Sequence, residues 1–348
     1  MLLKYTKRKI LSFLLLALNN DEIRSYLNES TNKNQTDLPP LQNTDNPYYA
    51  SDSATREDIK TAQRNDIVFI TSRFRSGSTL LWNIFRNTRD CTAYYEPFNE
   101  RRWFNSTTRG ENVDKSHLGV ENYWLEYDGM SDLNDHFRES WIRDNLYMDR
   151  KHWEPSMKKY IVELIKRADG RPVLQFNRID FRLPWLRQNF PNAKIVHLYR
   201  HPRDQWCSFL TDKQRMNKRD VETTYQDAFY LDVWCNDLSK VFPFLDNRKT
   251  PHPYARFYYL WKLSLIFGRQ YSDYSIPYED ISANPESELQ SLFSALEWNS
   301  PSLSQACSVV EPPVLDKWKS YAEPEWFFSY ENECEYVLSE FLNNCIDL

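Results

Sequence analysis

Short runs of β-branched and aromatic residues recur along the chain at 67–71 (IVFIT), 91–95 (CTAYY), 173–177 (VLQFN), 194–200 (KIVHLYR) and 274–278 (YSIPY). Apolar runs of this length between polar or turn-forming residues read as strands covered on both faces, the pattern of a parallel sheet. Between them the apolar positions change to helical spacing. Leu80, Leu81, Ile84 and Phe85 follow the first run, and Met157, Tyr160, Ile161, Leu164 and Ile165 share one face of a helix stopped by Gly170 and Pro172. Further helices are predicted over Leu183 to Phe190, Tyr225 to Phe242, Tyr254 to Tyr271, the segment carrying Leu289, Leu292, Phe293 and Leu296, and Glu331 to Cys345. Strands alternating with helices predict an α/β fold of three layers around a central parallel sheet.

Three stretches fall outside this alternation. Residues 1–27 begin with Lys4, Lys7, Arg8 and Lys9 ahead of an apolar run from Ile10 to Leu18. That run is about half of the ~20 residues needed to span a bilayer, so it is expected to dock on the protein or lie on a membrane surface rather than cross it. A signal or anchor is the alternative, although Asn19, Asn20 and Asp21 stand where small cleavage-site residues would be expected. Residues 28–65 are rich in Ser, Thr, Asn, Asp, Gln and Pro and read as a polar linker; residues 66–348 then form the main domain. Within it, about 101–154 is irregular, polar and aromatic, an insertion whose Trp103, Trp124, Trp141 and Trp153 are expected mostly to pack, with stacking on sugar faces as the alternative.

Composition narrows the picture in two ways. A net charge of -5 argues against general nucleic-acid binding, so basic residues that matter must be grouped locally. The chain has 6 glycines, which makes any glycine in a turn beside a strand informative. Cys91, Cys207, Cys235, Cys307, Cys334 and Cys345 show no metal-ligand spacing and read as free thiols. Asn28, Asn34 and Asn105 each begin a glycosylation triplet, common by chance in such a composition.

The candidate chemistry begins directly after the first strand, in RSGSTLL from Arg75 to Leu81. Strand, Ser/Gly loop and helix form an anion cradle: Gly77 lets the backbone approach a ligand, Ser76, Ser78 and Thr79 supply hydroxyls, and the helix start presents free N–H groups. The fold is therefore expected to be P-loop-like. The GxxxxGK[ST] pattern of ATPases is absent, because Ser78 stands where its Lys would be and the cation, Arg75, precedes the glycine.

RSGSTLL after a strand resembles the 5′-phosphosulfate loop of sulfotransferases, which take their sulfo group from 3′-phosphoadenosine 5′-phosphosulfate (PAPS). The segment YRHPRDQWCS places Arg200 at a strand end and Ser208 eight residues later, the spacing with which that family binds the 3′-phosphate. YEDISANP at 278–285 resembles a third family segment whose role is structural, and Lys317-Trp318-Lys319 resembles a signature near the nucleotide. The resemblance runs from Asp66 to Trp318. It implies a sulfotransferase-type fold, PAPS as donor with no metal, and donor contacts from Arg75, Ser76, Gly77, Ser78, Thr79, Leu80, Arg200 and Ser208.

Glu96 closes the second predicted strand, in Tyr95-Glu96-Pro97, which resembles the carbohydrate branch of the family. A carboxylate at the carboxyl end of a strand lies where open α/β sheets place their chemistry. Glu96 is thus the expected base and Arg75 the expected electrophilic partner, with a structural cap as the alternative for Glu96. Two departures stand out. Many family members carry a Lys at the end of the third strand, where this chain has Gln175 followed by Arg178, the residue expected to supply the missing cation, and the C-terminal R-K-G signature of the phenol-sulfating branch is absent.

The expected activity is sulfo transfer from PAPS to an acceptor hydroxyl, implied by the resemblance to be on a glycan. A nucleotide-binding protein of the same fold without transferase activity, or a P-loop kinase, is the alternative. A cytoplasmic location with peripheral membrane contact through residues 1–20 is expected. The layout of apolar end, polar stalk and catalytic domain also resembles Golgi type II enzymes and keeps a Golgi-type lumen open.

Overall fold

The structure, a computed structural model, describes residues 54–115, 117, 119–298, 303–310 and 315–345. The apolar run at 10–18, the polar residues up to 53 and the triplets at Asn28 and Asn34 lie outside the described residues. In chain order the regular elements begin with α1 (Arg56–Ala62), β1 (Val68–Ser72), α2 (Ser78–Arg86) and β2 (Cys91–Tyr95). After the irregular insertion come α3 (Pro155–Arg167), β3 (Arg171–Phe176), α4 (Leu183–Asn189), β4 (Lys194–Tyr199) and α5 (Pro202–Phe209). The chain continues through α6 (Val221–Thr224), α7 (Leu231–Leu238), α8 (Pro253–Tyr271), β5 (Tyr274–Pro277), α9 (Tyr278–Ala283), α10 (Pro285–Ala295), α11 (Leu303–Cys307) and α12 (Pro324–Cys345).

The sheet is parallel throughout, in the order β2-β3-β1-β4-β5. All of β1 is buried, with Val68 opposite Val173 on one side and Lys194 on the other. Burial on both faces explains why these strands read as continuous apolar runs rather than as alternating ones. The carboxyl ends of β1, β3 and β4 lie side by side, and the loops that leave them carry most of the chemistry. No described helix is long and apolar enough to cross a membrane.

Three boundaries differ from the sequence expectation, each for a local reason. The stretch 28–65 is not linker to its end. Thr55 caps α1 in a reciprocal box with Asp58, and the buried Asp58 carboxylate takes Lys159 at 3.0 Å and also Lys166, both from α3. The helix docks through an ion-paired polar face, which an apolar pattern does not reveal. Tyr225 to Phe242 is not one helix: Tyr230 has φ +63°, and Asp227 accepts the N–H groups of Leu231 and Asp232 at 2.7 and 2.9 Å, starting α7 there. The last helix begins at Pro324 rather than Glu331.

The insertion is held by short 3-10 turns at Leu125–Tyr127, Ser131–Asp135 and Glu139–Ile142. Trp103 and Trp141 are buried there and Trp153 is exposed, so packing accounts for two of the four tryptophans outright. Cys91, Cys207, Cys235, Cys307 and Cys334 are free thiols.

Candidate active site

A cavity of about 600 Å³ opens above the carboxyl ends of the strands. Its floor is the turn between β1 and α2. Arg73 is fixed by an ion pair to Asp180 at 3.0 Å, and its carbonyl accepts both the backbone N–H and the hydroxyl of Ser76, at 3.3 and 2.7 Å. Ser76 is therefore spent on the turn and does not line the cavity, a correction to its expected donor contact. Gly77 adopts φ +96°, and a Cβ there would lie 2.2 Å from Cδ2 of Tyr278. Tyr278, expected to be structural, is thus the roof that sets the loop's shape. No side chain caps the start of α2, and Ser78, Thr79 and Leu80 line the cavity there, so the free amides of that first turn remain to receive an anion.

Arg75, with φ +64°, donates from Nε to the Ser208 carbonyl at 3.1 Å and lies 3.6 Å from Asp114. Arg200, immediately after β4, is brought to the same corner. Its Nη1 reaches the Arg75 carbonyl at 3.4 Å and Ser208 Oγ at 3.5 Å, and its guanidinium lies 4.7 Å from the centre of the Tyr278 ring. These contacts are long and neutral, and no carboxylate pairs with Arg200 among the described residues. Lys317 joins them because Asp204 of α5 accepts the N–H groups of Asp316 and Trp318 on either side of it. Burial, followed by the charges of Arg200 and Lys213, holds the Lys317 ammonium below its ordinary range. Arg200 and Lys317 repel each other, and neither is ion-paired to a carboxylate among the described residues, so together they could hold an external anion.

The opposite wall is built differently. Glu96, 4% exposed and with φ +38°, accepts from Asn177 Nδ2 on Oε1 at 2.5 Å and from Asn99 Nδ2 and Arg178 Nη1 on Oε2 at 2.7 and 2.9 Å. Asn177 in turn accepts from Ser72 at 3.0 Å and Gln175 at 2.9 Å, tying the ends of β1 and β3 to the carboxylate. Asn177, Asn99 and Arg178 take three of the carboxylate's roughly four acceptor positions, and the buried Tyr95 hydroxyl lies within reach of it as well. Arg178 carries a second carboxylate, Glu100, at 2.6 Å. It is therefore not a free cation replacing the family Lys, but the holder of Glu96.

Between the two walls the insertion supplies His117, whose Nε2 lies 3.2 Å from Thr79 Oγ1 and whose Nδ1 lies 2.5 Å from the Tyr123 hydroxyl. Thr79 Oγ1 also meets the buried Tyr95 hydroxyl at 3.0 Å. Burial lowers the His117 pKa to about 4, so its ring is neutral near pH 7. Phe229, Tyr230 and Trp103 offer aromatic surface around the cavity. Sequence reasoning did not find Asn99, Glu100 or Asn177. The polar residues clustered just after β2 and β3 were the available signal.

A sequence model described as the sulfotransferase family matches residues 67–301. Solved structures similar to the chain include the sulfotransferase domain of the Synechococcus PCC 7002 olefin synthase, 19% identical over 78% of this chain and 94% of that one, with a TM-score of 0.38. A Mycobacterium tuberculosis H37Rv sulfotransferase is 16% identical over 79% of this chain and 78% of its own, with a TM-score of 0.41. One from Mycobacterium avium is 11% identical over 83% and 79%, with a TM-score of 0.43. No curated protein sequence matches significantly.

Proposed function

This chain belongs to the sulfotransferase family, and on that premise we propose that it moves a sulfo group from PAPS to a hydroxyl of a glycan. The observation that carries the donor assignment is the corner where Arg200, Ser208 and Lys317 converge with no carboxylate paired to either cation among the described residues. A 3′-phosphate supplies the charge these groups lack. The first-turn amides of α2, the Ser78 and Thr79 side chains and Arg75 then receive the phosphosulfate, and Leu80 contributes an apolar wall beside them.

In the reaction the acceptor oxygen forms a bond to sulfur while the bond from sulfur to the 5′-phosphate oxygen breaks. The electron pair goes to that oxygen, and 3′-phosphoadenosine 5′-phosphate (PAP) departs. Arg75 and the loop amides stabilise the charge gathering there. Glu96 takes the acceptor proton, while Arg178, Asn99 and Asn177 fix the carboxylate's direction. Phe229 and Tyr230 suit the apolar faces of sugar rings, and the resemblance of Tyr95-Glu96-Pro97 to the carbohydrate branch supports the same acceptor class.

The test is a binding comparison followed by a transfer assay. PAP is expected to bind at least about tenfold more tightly than 5′-AMP, because one charge-assisted phosphate contact contributes about 1.5–3 kcal/mol. Equal affinities overturn the 3′-phosphate assignment. Transfer of radiolabel from PAPS to members of a polysaccharide panel supports the activity, and transfer to none of them overturns the glycan assignment.

A further inference from the structure

We infer that His117, a residue of the irregular insertion, is a positioning residue for the donor: it orients the Thr79 hydroxyl toward the anion bound at the start of α2. The inference rests on the donor reading above, and it follows from counting protons along a chain of hydrogen bonds. The backbone N–H of Asp114 must donate, and it donates to the Tyr123 oxygen at 2.9 Å. We assign the one proton of Tyr123 to the Nδ1 of His117, 2.5 Å away, so that this nitrogen accepts. A neutral imidazole that accepts at Nδ1 carries its proton at Nε2. That proton therefore points at Thr79 Oγ1, 3.2 Å away, and takes one of its lone pairs.

Thr79 is left with its own proton to give. In the free protein the recipient is the Tyr95 hydroxyl at 3.0 Å. When an oxyanion occupies the first turn of α2, the Thr79 proton turns to it. No atom of the chain has to move by more than a hydroxyl rotation. The groups facing His117 are Asp114, Arg75, Tyr123 and Thr79. Asp114 favours the charged ring, whereas Arg75 and burial oppose it, so the ring stays in the single tautomer that Tyr123 selects. Tyr123 is itself locked by stacking on Tyr95, with ring centres 4.6 Å apart. Bonds of this kind polarise one another, so the effect at Thr79 exceeds that of an isolated hydroxyl.

The experiment measures PAP affinity for the full chain and for His117→Ala, His117→Gln, Tyr123→Phe, Thr79→Val and the Thr79→Val/His117→Ala double variant, with nitrogen NMR of the unliganded imidazole. His117→Ala is expected to weaken PAP about threefold to tenfold, the range for one hydrogen bond. His117→Gln, whose amide can donate near the Nε2 position, should recover much of the loss, and the double variant should be no weaker than Thr79→Val alone. The imidazole should show its proton on Nε2, and Tyr123→Phe should remove that preference while keeping the ring stack. If the unaltered chain binds PAP and His117→Ala binds it equally well, or the two substitutions add in full, the positioning role is overturned while the donor reading stands. Failure of the unaltered chain to bind PAP overturns both.

Discussion

The strands on either side of β1 each lead into a buried arginine, and the two are treated in opposite ways. Arg178, after β3, has a side chain 2% exposed and is held by Glu96 at 2.9 Å and Glu100 at 2.6 Å. Arg200, after β4, is 7% exposed and, among the described residues, meets the Tyr278 ring and the neutral oxygens of Arg75 and Ser208, at 3.4 and 3.5 Å, with no carboxylate. Taking a guanidinium out of water costs several kcal/mol unless a partner compensates. At β3 the compensation comes from within the chain, and at β4 the proposed 3′-phosphate would supply it. The proposed function assigns the Arg200 wall to an anion and the Glu96 wall to a neutral group that gives up a proton.

The sharpest way to break this comparison is to remove the charge at the β3 wall. Glu96→Gln is expected to lower turnover by about 10²- to 10⁴-fold while changing PAP affinity by less than about threefold, as single-turnover rates and calorimetric titration would show. Near-normal turnover would place the base elsewhere. Next in size, Arg178→Met strands Glu96 without its cation and should lower stability by about 3–5 kcal/mol in denaturant unfolding. A smaller loss would mean that Asn99 and Asn177 suffice to hold the carboxylate. The smallest effect belongs to Arg200→Ala, which removes no internal pair. It should leave the melting temperature nearly unchanged yet erase the preference for PAP over 5′-AMP, about 1.5–3 kcal/mol.

The same contrast separates what could be read in the chain from what could not. The strands were legible to within a residue or two, because burial on both faces writes itself as runs such as Val68–Ser72 and Lys194–Tyr199. Arg200 and Ser208 were legible as a pair through the resemblance to the family's 3′-phosphate segment, and their side chains lie 3.5 Å apart. Contacts between distant segments left no such mark. That Ser76 turns back to Arg73 depends on the positive φ of Arg75, and the grip of Asn177 on Glu96 depends on the register between β2 and β3. The helix α1 was hidden for another reason. It is fastened by Asp58 to two lysines, and a polar face leaves no apolar periodicity to read. His117 stood in a segment without periodicity, and its importance comes from folding back onto Thr79.

The roof over Gly77 carries a consequence for the life of the polypeptide. Tyr278, whose ring leaves no room for a Cβ on Gly77, comes from the junction of the last strand and the helix that follows it, far along the chain from the turn it covers. Arg200, beneath the same ring, also belongs to the later half. A ribosome-bound fragment that already contains RSGSTLL thus lacks both the cover and the second cation, and pairing of this kind must wait for distant sequence to emerge. On the proposed reading, donor capture would begin only when synthesis has passed the fifth strand, and an unfinished chain would not sequester the sulfo donor.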